Sequence, residues 1–117
     1  MAKMKDIYQE ALSLLNLDNY QDADRLFRQL KGLSSNEGNK ECLGIATVFS
    51  ALAESAKRLT LKYNLEVLKD GKSLEQFKKE YLSTLEISKD AAEAKLSGHR
   101  LDDFNTAYNA IYKKMFK

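Results

Sequence analysis

Cys42, Ile45, Phe49, Leu52, Ala56, Leu59 and Tyr63 recur at spacings of three and four. That is the period of one face of an α-helix. The chain contains no proline, so nothing forces a break in the run. The pattern predicts a long amphipathic helix beginning near Lys40. An earlier helix is expected from about Lys5 to Asn16, with Met4, Tyr8, Ala11 and Leu15 as its stripe and Ile7 and Leu12 widening it. A second carries Tyr20, Ala23, Phe27 and Leu30, with Leu26 beside them. Asp18 with Gln21 fits a reciprocal N-terminal cap for it. Gly32, followed by Leu33, fits its left-handed stop, and 34–39 reads as a loop.

The end of the third helix has two readings. Leu59, Leu61, Tyr63, Leu65 and Val67 alternate with Thr60, Lys62, Asn64 and Glu66, which alone would be a strand. No second alternating run of comparable length exists to pair with it. Leu61, Leu65 and Leu68 also fit a helical stripe rotated from the first, so helix to about Lys69 is the expectation. Asp70-Gly71-Lys72 then breaks it, and Ser73 with Gln76 is a capping pair for a fourth helix bearing Leu74, Phe77, Tyr81, Leu85, Ala92 and Leu96. Leu101, Phe104, Tyr108, Ile111 and Met115 mark a fifth. Gly98 either separates it from the fourth or kinks one continuous helix. The expected fold is all-α: a bundle of four to five helices in one domain, 1–117, with the third and fourth helices forming a long central antiparallel hairpin.

Composition suits this picture. The 117 residues are 44% hydrophobic and 31% charged, a globular balance and not a disordered one. Net charge is +2 and is spread evenly, without a basic arm or acidic tail. Lysine greatly outnumbers arginine, which disfavours phosphate recognition by guanidinium forks. Cys42 is the single cysteine, so no internal disulfide forms and a reducing compartment is expected. The N-terminus shows no apolar stretch of a signal peptide, and no run approaches the ~20 residues of a membrane span. A cytoplasmic location is the expectation.

Within residues 4–33, Ala11 occupies a small-residue position of a first helix. Asn19-Tyr20-Gln21-Asp22-Ala23 forms a turn-tyrosine-x-x-alanine step, and Phe27 supplies the aromatic of a second helix. This segment resembles one tetratricopeptide-type hairpin. It departs at Glu10, Leu30 and Ser35, where that pattern has a large apolar residue, a small residue and a proline. Leu101-Asp102-Asp103-Phe104 with Ala107 echoes it. The resemblance implies a helical hairpin and a leaning toward protein binding. An array needs about three stacked repeats, which the chain does not supply.

Catalytic chemistry finds little purchase. His99 is the only histidine and Cys42 the only thiol, and no local signature joins them as nucleophile and base. Neither four zinc ligands nor a Glu-x-x-His pair is present. Asp18, Asp22 and Asp24 lack the glycine and bidentate glutamate of a calcium loop, and no phosphate-binding glycine loop occurs. No catalytic, cofactor or metal residue is assigned. Gly44, early in the third helix, costs about 1 kcal/mol relative to alanine. Close helix–helix approach is its first explanation, a fraying helix start the second, a ligand at the backbone the third.

Most aromatics read as core. Tyr112 stands one position off its helix's seam and, with Lys113 and Lys114, forms the candidate partner-binding surface. The expected function is a non-catalytic protein–protein interaction module: a small adaptor, regulator or inhibitor. The alternative is a nucleic-acid-binding regulator using Lys57, Arg58, Lys62, Lys113, Lys114 and Lys117, whose bland reading is a solvated face with i,i+4 pairs. A hairpin longer than its neighbours also favours a homodimer through the third or fourth helix.

Overall fold

The computed structural model describes residues 2–116 and holds no strand among them. Five α-helices follow one another: α1 (Ala2–Asn16), α2 (Tyr20–Asn36), α3 (Lys40–Lys62), α4 (Leu74–Lys95) and α5 (Gly98–Phe116). Between α3 and α4 the helix continues as a π-helical segment, Tyr63–Lys69. The all-α expectation is met, and the 59–67 ambiguity resolves to helix.

Successive helices run antiparallel. Ser55 on α3 meets Ser88 on α4 at 3.5 Å, and Tyr63 meets Phe77 with ring centroids 5.6 Å apart. Further along the pair, Phe77 meets Phe116 and Lys78 meets Tyr112 across α4 and α5. α5 then returns alongside α1, where the Tyr8 hydroxyl donates to Asp103 Oδ2 at 2.9 Å. The long axis is 48 Å.

One cluster forms the core. Phe49 is fully buried and gathers rings from three other helices: Phe27 of α2 at 5.2 Å, Tyr8 of α1 at 5.5 Å and Phe104 of α5 at 5.6 Å. The third-helix seam supplies it as its spacing dictates, with Phe49, Leu52, Ala56 and Leu59 buried and Cys42, Ile45 and Tyr63 partly so.

Three local expectations are corrected. The α2 cap is Asn19, whose Oδ1 accepts from the Asp22 N–H at 3.3 Å. Asp18 instead adopts φ 65°, a left-handed conformation that Asp tolerates. Its carboxylate receives the Tyr20 hydroxyl at 3.1 Å. Second, α2 does not stop at Gly32. It runs to Asn36: Gly32 is not among the glycines with positive φ, and the next turn is anchored by fully buried Ser34, whose hydroxyl donates to the Leu30 carbonyl at 2.7 Å. Gly38, at φ 69°, makes the left-handed turn, and Asn39 caps α3 by accepting from the Cys42 N–H at 3.0 Å. Third, Gly44 marks no close helix approach: a Cβ there would meet nothing within 4 Å. Elsewhere expectation holds. Ser73 caps α4 by accepting from the Gln76 N–H at 3.2 Å, and Gly98 at φ 59° separates α4 from α5 as distinct helices.

Candidate functional site

The most distinctive surface arises from unequal helix lengths. Asp24, in the opening turns of α2, bonds to Ser50 at 3.1 Å and receives Lys57 Nζ at 3.6 Å. α2 therefore begins close to the level of Lys57, while α3 and the π-segment continue to Lys69. Lys57, Leu61 and Leu65 follow at four-residue spacing on neighbouring positions of one face. Where α2 would otherwise lie, that face is bare: Leu61 is 60% exposed, Leu65 55% and Leu68 68%. Leu17, in the α1–α2 turn, is also exposed.

The opposite side of this overhang is held firmly. Tyr63 packs edge-on to Phe77. The Tyr81 hydroxyl donates to Glu66 Oε2 at 2.5 Å. Lys72 pairs with Glu66, and with Glu80 at 2.7 Å. Lys72 and then Tyr81 hold the Glu66 carboxyl below the usual carboxylate range, and the hydrogen bonds that Lys72 donates to Glu66 and then Glu80 raise its own pKa. Two backbone bonds close the segment, Asp70 N–H to Leu65 O at 2.9 Å and Lys72 N–H to Glu66 O at 2.7 Å. The leucines thus stand on a pinned backbone.

Beside them lies a groove of about 350 Å³, with Thr60, Asn64 and Leu68 on one wall and Lys114 and Met115 on the other. Lys114 bridges to Asp18 at 3.3 Å and lies over the Tyr20 ring, tying α5 to the α1–α2 turn. Burial, and secondarily the Asp18 carboxylate, raise the Tyr20 pKa.

The structure places the sequence-derived candidates unevenly. Lys114 lines the groove and Lys113 is exposed beside it. Tyr112 is half-buried, with Phe116 at 5.8 Å and the Lys78 ammonium over its ring. Of the alternative basic set, Lys57 is paired with Asp24, Arg58 with Glu54 at 2.7 Å and Lys114 with Asp18. Lys62 sits over the Tyr81 ring, and Lys117 lies outside the described residues. The exposed Leu61, Leu65 and Leu68 were not among the candidates. Their signal was the rotated stripe, which gives no hint that the covering helix ends short.

Cys42 and His99 are not brought into hydrogen-bond contact. The Cys42 thiol is 4.0 Å from Met4 Sδ and opens onto a cavity that His99 does not line. No group of three potential metal ligands occurs among the described residues, and none of their helices is long and apolar enough to cross a membrane. No known protein family, curated protein or solved structure matches the chain.

Proposed function

We propose that this chain is a non-catalytic protein-binding module, an adaptor, regulator or inhibitor, whose overhang receives an amphipathic helix from another protein. The observation that carries this reading is the exposed stripe of Leu61, Leu65 and Leu68 on a backbone that Glu66, Lys72 and Tyr81 immobilise. Helix-in-groove recognition uses anchors at such spacing, and a preorganised surface limits the entropy lost on docking.

Charge specifies the occupant. Over residues 58–70 and the adjoining end of α5, Lys62, Lys69 and Lys113 have no carboxylate partner among the described residues, and Asp70 is the one acid there without a basic partner. An incoming helix with acidic residues flanking its apolar stripe meets this rim favourably. A second copy would bring the same lysines against themselves, so it is the weaker occupant. The tetratricopeptide-like hairpin of residues 4–33 supports the same class of function. Three of the six residues needed for nucleic acid, Lys57, Arg58 and Lys114, are engaged with acids of their own chain, which makes that reading second.

The test is affinity capture from host lysate by wild type and by the triple variant L61S/L65S/L68S, with and without nuclease. The captured partner is then purified and mapped by NMR. A nuclease-resistant protein that is lost with the variant and shifts Leu61–Leu68 amides is expected. Equal retention by the variant, or recovery of nucleic acid with a steep salt dependence, refutes the proposal. Sedimentation equilibrium gives a monomer on this reading. A dimer dissolved by the same substitutions assigns the stripe to a second copy.

A further inference from the structure

The end of the molecule away from the overhang carries a different surface, and it bears on a separate function. Two adjoining cavities of about 310 and 330 Å³ meet at Glu41, Ile45 and Arg100. We propose that they form a binding site for an amphiphilic organic anion, an apolar body bearing one carboxylate or phosphate head. The accessible apolar surface comes from the partly exposed Met4, Cys42 and Ile45, over the buried Leu30 and Leu96. The cations are Lys5, Lys40, Lys95 and Arg100, against the single carboxylate of Glu41.

Arg100 is the informative member. Arg25, Arg28 and Arg58 each have a carboxylate within 4.0 Å, namely Asp22, Asp24 and Glu54. Arg100 has none among the described residues. Its guanidinium instead lies 4.3 Å from the Tyr8 ring centroid. Asp103, about one turn further along the same helix, accepts from the Tyr8 hydroxyl. The cation–π contact holds the guanidinium beside Tyr8 without giving it an anionic partner, and a guanidinium so placed is suited to bidentate capture of a carboxylate or phosphate. Lys5, Lys40 and Lys95 also lack carboxylate partners within that distance among the described residues.

Gly44 borders the second cavity. The open space where its Cβ would stand lets a ligand approach the α3 backbone. The combined space falls within the range of small-molecule sites, which pair apolar walls with a few convergent polar groups. A purely apolar ligand would leave these cations unused. A small inorganic anion would leave the Met4, Cys42 and Ile45 surface uncovered.

The experiment is an amide-resolved NMR titration of the full chain with three probes sharing one body: octanoate, octyl phosphate and 1-octanol. At least one anion is expected to shift Lys40, Glu41, Gly44, Ile45 and Arg100 in a saturable manner, with octanol binding at least about tenfold more weakly. The tighter of the two anions identifies the head group. Arg100→Gln should weaken that anion by about tenfold. Because Arg100 also contacts the Tyr8 ring, the double variant K40Q/K95Q, which changes only exposed side chains, must weaken it too. Equal affinity for octanol, shifts confined to Leu61–Leu68, or no saturation below about 10 mM overturns the proposal. Unchanged affinity in either variant does the same.

Discussion

Truncating Phe49 tests the architecture at its most connected point. The side chain is fully buried and touches rings from α1, α2 and α5, so Phe49→Ala leaves a cavity that no single helix can fill by shifting. Phe→Ala at buried positions costs about 3–5 kcal/mol. Three aromatic pairs at ~0.5–1.5 kcal/mol each beyond area burial place this site at the upper end. A chain of this length has a total stability on the order of 6–17 kcal/mol, so the loss is a large fraction of the whole. Urea unfolding followed by circular dichroism at 222 nm measures it. With a slope near ~1.5 kcal/mol per molar, the midpoint should fall by about 2–3 M. Leu61→Ala, at an exposed position, is the control and should change stability by no more than about 0.5 kcal/mol. A loss below about 2 kcal/mol for Phe49→Ala, or one no larger than the control, would refute the description of Phe49 as the junction of four helices.

Three further outcomes follow from local geometry. Gly44→Ala should stabilise by about 0.5–1 kcal/mol in the same assay, since the position is helical and the added methyl meets nothing; destabilisation would show a close approach after all. Asn19→Ala and Asn39→Ala should each cost about 1 kcal/mol, removing caps of α2 and α3, and a null effect on the unfolding midpoint would place the caps elsewhere. Glu66→Gln should destabilise at neutral pH. The folded Glu66 carboxyl is depressed by Lys72 and Tyr81, so its contribution is present above the unfolded carboxylate pKa and disappears as pH falls through the folded value. The wild-type and variant stability curves should therefore converge in acid, and a gap that persists at pH 2 would show that charge is not its source.

The seam of α3 was legible because its period is helical over six turns and no proline contradicts it. The five helices and the Ser73 cap follow from the same kind of local signal. Asp18 and Asn19 could not be separated by type, as both residues make good caps. Only the left-handed backbone at Asp18 decides between them. Gly32 looked like a stop because propensity was read without the packing beyond it, where Ser34 is fully buried and the helix continues four residues further. The alternation from Leu59 to Val67 mimicked a strand because two apolar rows at four-residue spacing interleave there: Leu59, Tyr63 and Val67 packed on the core, and Leu61 and Leu65 exposed. Exposure of Leu61, Leu65 and Leu68 depends on where another helix ends, a relation between distant parts of the chain that no local pattern encodes. The clustering of Arg100 with Lys5, Lys40 and Lys95 escaped for the same reason.

The return of α5 onto α1 has a consequence for how the chain acquires its structure. Packing between α1 and α2, α2 and α3, α3 and α4, and α4 and α5 joins sequence neighbours, whereas the Tyr8–Asp103 bond spans 95 positions. Local pairing is fast to form, and long loops are slow to close. The first three helices are therefore expected to condense early around Phe27 and Phe49, with Phe104 arriving as α5 seats last. Refolding kinetics would register Phe104→Leu mainly in the unfolding rate and Phe27→Leu mainly in the folding rate. The last helix would then act as a latch on a nucleus already assembled, and native-state hydrogen exchange should find its amides opening before those at the centre of α2 and α3.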